Sequence, residues 1–147
     1  MTDMNDLRAR HRALVFACRT IRDRFGEDAV DLVAEQHAKN VRAAFRKEAA
    51  ETGRNDMAAL AERMGTPSDT HTYDPIRGDA DVLEFRITRC AHAEIFAEMN
   101  ATDIGRKFMC AGDDAMIEGF NPDISLERPA LLMTGGDHCH FIYRMRK

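Results

Sequence analysis

The sequence predicts an α+β fold, with N-terminal helices packed against a small antiparallel sheet that ends in a C-terminal β-hairpin. Three observations predict it. Apolar residues recur at three- and four-residue steps up to about residue 64, the period changes to two at Val82, and two apolar runs near the C-terminus flank Gly135-Gly136. One domain over residues 1–147 follows, with a helical part at 1–64 and a sheet-containing part at 81–147. At 147 residues and 44% hydrophobic content, the chain can bury a core without disulfide or metal staples.

From about residue 3 to 25, Leu7, Leu14, Val15, Cys18, Ile21 and Phe25 form one helical stripe that Gly26 ends. A second helix is expected over 27–52, with Val30, Val33, His37, Val41, Ala44 and Phe45 on one side and Gly53 after it. A short third helix at 56–64 starts from Asp56 as its N-cap and stops at Gly65. Residues 65–80 hold two prolines, two glycines and many turn formers, and read as a connecting loop.

Residues 82–88 alternate, Leu83, Phe85 and Ile87 against Glu84, Arg86 and Thr88, which is a strand with one apolar face. Helices are expected over 91–100 and 102–119, the second ending at Phe120-Asn121-Pro122. The runs Leu126 to Met133 and Cys139 to Met145 then pair as a hairpin. Three strands backed by helices are the simplest architecture, with room for a fourth short strand.

A net charge of −4 and a sequence pI near 5.8 argue against a broad electropositive face for nucleic acid. Charged residues interrupt every apolar run before it reaches signal-peptide or membrane-span length, so a cytoplasmic protein with no membrane partner is expected. The four cysteines, Cys18, Cys90, Cys110 and Cys139, are widely spaced and do not form a secreted disulfide scaffold. The stripes of the long N-terminal helices suit the domain's own core or a homo-oligomer equally well.

In the last strand, Cys139, Phe141, Tyr143 and Met145 share one face, and His138, His140, Ile142 and Arg144 the other. On the 102–119 helix, Cys110 and Asp113 project from nearly the same side. If that helix covers the apolar face of the sheet, Cys110 approaches Cys139, and Cys90 at the end of the first strand joins the same layer. Asp113 then faces solvent or has a specific partner, because an unpaired buried carboxylate is costly. Each cysteine also has a plain reading as a small core residue, which is the one given to Cys18.

His138-Cys139-His140 invites a zinc reading, but alternation sends the thiol and the imidazoles to opposite faces and no CxxC or HxxxH pair is present, so no metal ligands are assigned. His37 reads as a core or interface histidine. Arg86, Arg89 and Arg128 are surface residues unless a pocket gathers them, in which case they suit a substrate carboxylate.

Arg89-Cys90, Cys110-Ala-Gly-Asp113, Glu118-Gly-Phe-Asn-Pro122, Leu126-Glu-Arg128 and Leu132-Met-Thr-Gly135 leading to Asp137-His-Cys139-His-Phe141 together resemble the L-2-amino-thiazoline-4-carboxylic acid hydrolase family over about residues 84–144. The residues after Cys90 and Cys139, here Ala91-His92 and His140, depart from the commonest family pattern. The C-terminal run is also faintly similar to vinyl-reductase-type ligand-binding domains.

The first resemblance implies hydrolytic opening of a small ring at an amidine-type carbon. Cys110, Asp113 and Cys90 become the expected catalytic residues, with Cys110 as the attacking thiol or Asp113 as a general base on water. Arg128, Asn121, Arg86, Cys139 and His138 are expected to bind the substrate. The rival reading is a binding module that senses a small molecule, with structural or zinc-bound cysteines.

Overall fold

The computed structural model describes residues 1–146; Lys147, the last residue of the expected domain, lies outside the described residues. Helix α1 (Met4–Phe25) starts at Asp3, whose side chain accepts the Asn5 N–H at 2.8 Å, and buries the stripe Leu7, His11, Val15 and Cys18. Gly26, at φ 88°, lets the chain reverse directly into α2 (Glu27–Thr52). Helix α3 (Met57–Met64) is capped by Asp56, which accepts the Ala59 N–H at 2.8 Å.

The sheet has four antiparallel strands in the order β1-β2-β4-β3: β1 His71–Gly78, β2 Val82–Cys90, β3 Ile124–Ala130 and β4 Cys139–Met145. The expected loop at 65–80 therefore contains a strand. β1 tolerates its proline and glycine because it lies at the sheet edge, and its pairing with β2 slips between Thr72 and Tyr73 and again between Pro75 and Arg77. The final hairpin is also less regular than expected. β3 stops at Ala130, and Leu132–Thr134 form a 3-10 turn ended by Gly135 at φ 90°.

Between β2 and β3 lie α4 (Ala91–Glu98) and a second helical stretch, α5 (Thr102–Gly105), one π-helical turn (Arg106–Cys110) and α6 (Ala111–Phe120). The expected helix at 102–119 is thus interrupted immediately before Cys110's neighbour Ala111. A Cβ added at Gly119 would lie 2.3 Å from the Arg42 carbonyl oxygen, so glycine is what lets α6 seat against α2.

Two apolar clusters hold the fold together. The first packs α3 and α6 on the sheet through Leu60, Phe85, Ile117, Phe120, Phe141 and Tyr143. The second joins α1, α2, α4 and α5 through Val15, Val30, Phe96, Ile104 and Phe108. Burying each of the larger side chains contributes about 1.5–3 kcal/mol. Cys90 and Leu132 touch both clusters, and a cavity opens at that seam.

No helix among the described residues is long and apolar enough to cross a membrane.

Candidate functional site

A cavity of about 300 Å³ lies between the helices and the inner face of the sheet. The sheet supplies Ile87 and Cys90 from β2, Cys139 and Phe141 from β4, and His71 from the start of β1. The helical wall supplies Phe108, Cys110, Asp113 and Met116, while α2 contributes His37, Val41 and Phe45. Three thiols, one carboxylate and the imidazoles of His37, His71 and His92 therefore open into an otherwise apolar space. Among the described residues its lining includes no lysine or arginine.

The alternation of β4 places Cys139 and Phe141 inward, with Tyr143 beyond them at 0% exposure. Cys139 accepts the Leu132 N–H at 3.2 Å, a contact that ties the 3-10 turn to the strand. Cys110 and Asp113 reach the cavity from the end of the π turn and the first turn of α6. A π turn inside a helix often accompanies a functional site.

Asp113 has a specific partner. The Arg128 guanidinium, 12% exposed, donates to Asp113 Oδ2 at 3.2 Å, to an Asp114 carboxylate oxygen and to the Cys110 carbonyl oxygen, and lies over the Phe141 ring at 5.9 Å. Burial nevertheless pushes the Asp113 carboxyl up to about 7, with Arg128 pulling down and Asp114 pushing up. Its side chain remains 37% exposed, as expected of a group packed around by protein but opening onto a cavity. Cys110 is pushed up to about 12, first by burial and then by the neighbouring Asp113 charge.

The wall made by β1 and β2 is different. His71 and Cys90 are direct cross-strand partners, with His71 Nε2 3.5 Å from Cys90 Sγ. Thr70 Oγ1 lies 2.9 Å from His71 Nδ1, and the Thr70 carbonyl accepts the Ala91 N–H at 2.8 Å. Behind them, His92 Nδ1 lies 2.7 Å from Nε2 of the buried His11. Burial pushes both His71 and His11 down to about 4, with His92 acting in the same direction, so both imidazoles are neutral at neutral pH.

Arg128, Arg86, Asn121 and His138 do not line the cavity. Arg128 is turned toward the Cys110 carbonyl oxygen, Asp113 and Asp114, and Arg86 is exposed on β2 opposite His140. His138 pairs with Asp137, and Asn121 closes the turn after α6 by donating to the Asn55 carbonyl at 2.8 Å and accepting the Asp123 N–H at 2.9 Å. His37, expected as a core or interface residue, stands at the cavity wall beside Phe108. Among the described residues, no group of three or more His, Cys, Asp or Glu side chains is arranged to hold a metal ion.

Sequence reasoning missed His71, Thr70 and His92. The alternating β-branched and aromatic run Thr70-His71-Thr72-Tyr73 was the available signal, masked by the glycines and prolines around it.

Comparison with solved structures places the fold among known ones. A trafficking protein particle complex subunit 3 from Naegleria fowleri, covalently bound to palmitic acid, superposes with a TM-score of 0.54 at 10% identity, covering 98% of this chain and 95% of that one. That likeness is one of fold alone. The phenol-responsive sensory domain of the transcription activator PoxR gives 0.46 at 15% identity, covering 90% of this chain and 73% of that one. An H-NOX protein from S. oneidensis gives 0.49 at 11% identity, covering 91% and 74%. No curated protein matches the sequence significantly. The sequence profile named for L-2-amino-thiazoline-4-carboxylic acid hydrolase, in contrast, matches residues 7–143, which include every wall of the cavity, and the chain belongs to that family.

Proposed function

We propose that this protein is a hydrolase that opens a small cyclic amidine or thiazoline-type ring inside the cavity, with Asp113 as the acid–base group and a thiol as the nucleophile. The observation that carries the reading is the Asp113 carboxyl, pushed up to about 7 in a cavity that also presents Cys90, Cys110 and Cys139. A carboxyl in that range exchanges protons readily near neutral pH. Membership of a family named for the hydrolysis of a thiazoline carboxylic acid supports hydrolysis as the reaction class.

The lining also bears on the substrate. With no lysine or arginine among the described lining residues, a carboxylate placed deep in the cavity would sit unpaired near Asp113. This favours a ring whose carboxylate, where it has one, stays at the mouth.

The test is a panel of cyclic amidines, thiazolines and hydantoin-like rings, each carboxylated member paired with its carboxylate-free counterpart, read by mass spectrometry for a gain of one water. Turnover of at least one ring, reduced roughly 10²–10⁴-fold in Asp113→Asn, is expected. Turnover that survives intact in Asp113→Asn would remove the carboxyl from the chemistry. The apolar lining supports a second reading, a cavity that holds a small molecule without altering it, and rings that bind but never gain water would favour that one.

A further inference from the structure

Resting on the hydrolase reading above, we infer that Cys90 is the nucleophile, His71 its general base and Thr70 the residue that positions the base.

The pair is built by strand register. His71 and Cys90 face each other across β1 and β2, both line the cavity, and His71 Nε2 lies 3.5 Å from Cys90 Sγ. The other ring nitrogen is held by Thr70 Oγ1 at 2.9 Å, and Thr70 is itself held by Ser68, whose Oγ lies 2.8 Å from Thr70 Oγ1 and accepts the Thr70 N–H at 3.1 Å. When Nδ1–H donates to Thr70, the Nε2 lone pair faces the thiol. This is the nucleophile, base and orienting-group arrangement that covalent catalysis requires. Cys110 has no such neighbour: among the described residues its thiol makes no hydrogen bond to an imidazole, and its surroundings include Asp113.

The groups around the pair set how it starts. His71 is faced by His92 and Tyr73, with ring centroids 5.4 and 5.9 Å away, and by the charge of Arg89. Cys90 is faced by Cys139 and Asp113, while the N–H groups of His92 and Ala93 at the start of α4 pull its thiol down against burial. Burial lowers His71 and raises Cys90, so both are neutral at rest and the proton moves as the bond to carbon forms.

With a 2-amino-thiazoline as the ring, Cys90 Sγ bonds to the amidine carbon while its proton passes to His71 Nε2 and the C=N electron pair moves onto the ring nitrogen. The C=N bond re-forms as the bond from carbon to the ring sulfur breaks, and the sulfur leaves with the proton from His71. The carbon is then held by Cys90 as an isothiourea. Water adds to it with Asp113, which faces Cys90 in the cavity, taking one of its protons and passing it to the ring-derived nitrogen, and the other proton returns to Cys90 as the Sγ–C bond breaks. The product is a urea, and the net change is the gain of one water.

Thiol alkylation tests the pair without any ring substrate. The protein is treated with iodoacetamide across pH and each cysteine is quantified by peptide mass spectrometry. In the native protein, Cys90 should alkylate at a rate that is flat between about pH 5 and 8, because a neutral imidazole assists throughout that range. His71→Asn should lose the plateau, reacting at least about tenfold more slowly at pH 7 and rising with hydroxide. Thr70→Val keeps the imidazole and should shift the profile the same way by a smaller factor. An unchanged Cys90 profile in both variants, or a native profile without a plateau, overturns the assignment even if the ring panel shows turnover. The predicted profile with no ring turned over would instead sink the hydrolase reading and leave the pair standing.

Discussion

Cys90, on the wall built by β1 and β2, meets an imidazole 3.5 Å away, whereas Cys110, on the helical wall, has the opposed charges of Asp113 and Arg128 as its neighbours. Both thiols are half-buried and both line the same cavity. Burial raises both thiols, but one is placed to lose its proton to a neutral base, and the other, pushed up to about 12, has no such base beside it. Residue type and burial alone do not distinguish them; the group across the cavity wall does.

The sharpest way to break this contrast is to exchange each thiol for a hydroxyl. Cys90→Ser should lower kcat/KM for any ring the protein opens by roughly 10⁴-fold or more, while Cys110→Ser stays within about tenfold of the native enzyme. Steady-state kinetics on one ring decides it, and the reverse order would move the nucleophile to the helical wall.

Next in size is the cation behind Asp113. Arg128 holds that carboxyl down, so Arg128→Met should drive it further above about 7 and move the acid limb of the kcat/KM pH profile to higher pH. Because both carboxylate partners of Arg128 are partly exposed, the accompanying loss of stability should be only about 1–3 kcal/mol by denaturant unfolding. An unmoved limb would mean that another group titrates.

The two walls should also respond oppositely to acid. His11, behind the β1–β2 wall, has its folded value lowered from 6.5 to about 4, so the unfolded chain takes up that proton first. The stability it contributes is complete above about pH 6.5 and is lost as pH falls through about 4. Asp113 is raised from 3.8 to about 7, so the folded state holds its proton longer and stability declines as pH rises across that window. His11→Gln should flatten the acid-side fall of Tm, and Asp113→Asn the opposite slope, as followed by calorimetry. Slopes unchanged by either substitution would break the assignment.

Smallest is Tyr143→Phe. The buried hydroxyl has no hydrogen-bond partner among the described residues, so removing it should leave stability unchanged or raise it by about 1 kcal/mol in equilibrium unfolding. A clear loss would show that the hydroxyl is satisfied after all.

Much of this arrangement was legible in the residues. The strict alternation of 82–88 and the two-residue period of Cys139, Phe141 and Tyr143 named the inward faces, and the spacing of Cys110 and Asp113 pointed both at the sheet. The edge strand β1 was not legible, because its proline and glycine signal a loop unless one knows that nothing pairs on its far side. With β1 went His71, whose relation to Cys90 exists only in the register of the pair. Arg128 was legible as a cation but not as the partner of Asp113, Asp114 and the Cys110 carbonyl.

By itself the sequence determined the α+β class, the period of each main element and the faces on which Cys110, Asp113 and Cys139 lie, because these follow from local periodicity and capping, whereas Cys90 turns inward only through the register slip between β1 and β2. The tertiary structure alone decided which base stands beside which thiol, how far burial moves each pKa, and that a cavity remains between two apolar clusters. Those depend on contacts between residues far apart in the chain, and their strengths are set by distance and desolvation, which have no local signature.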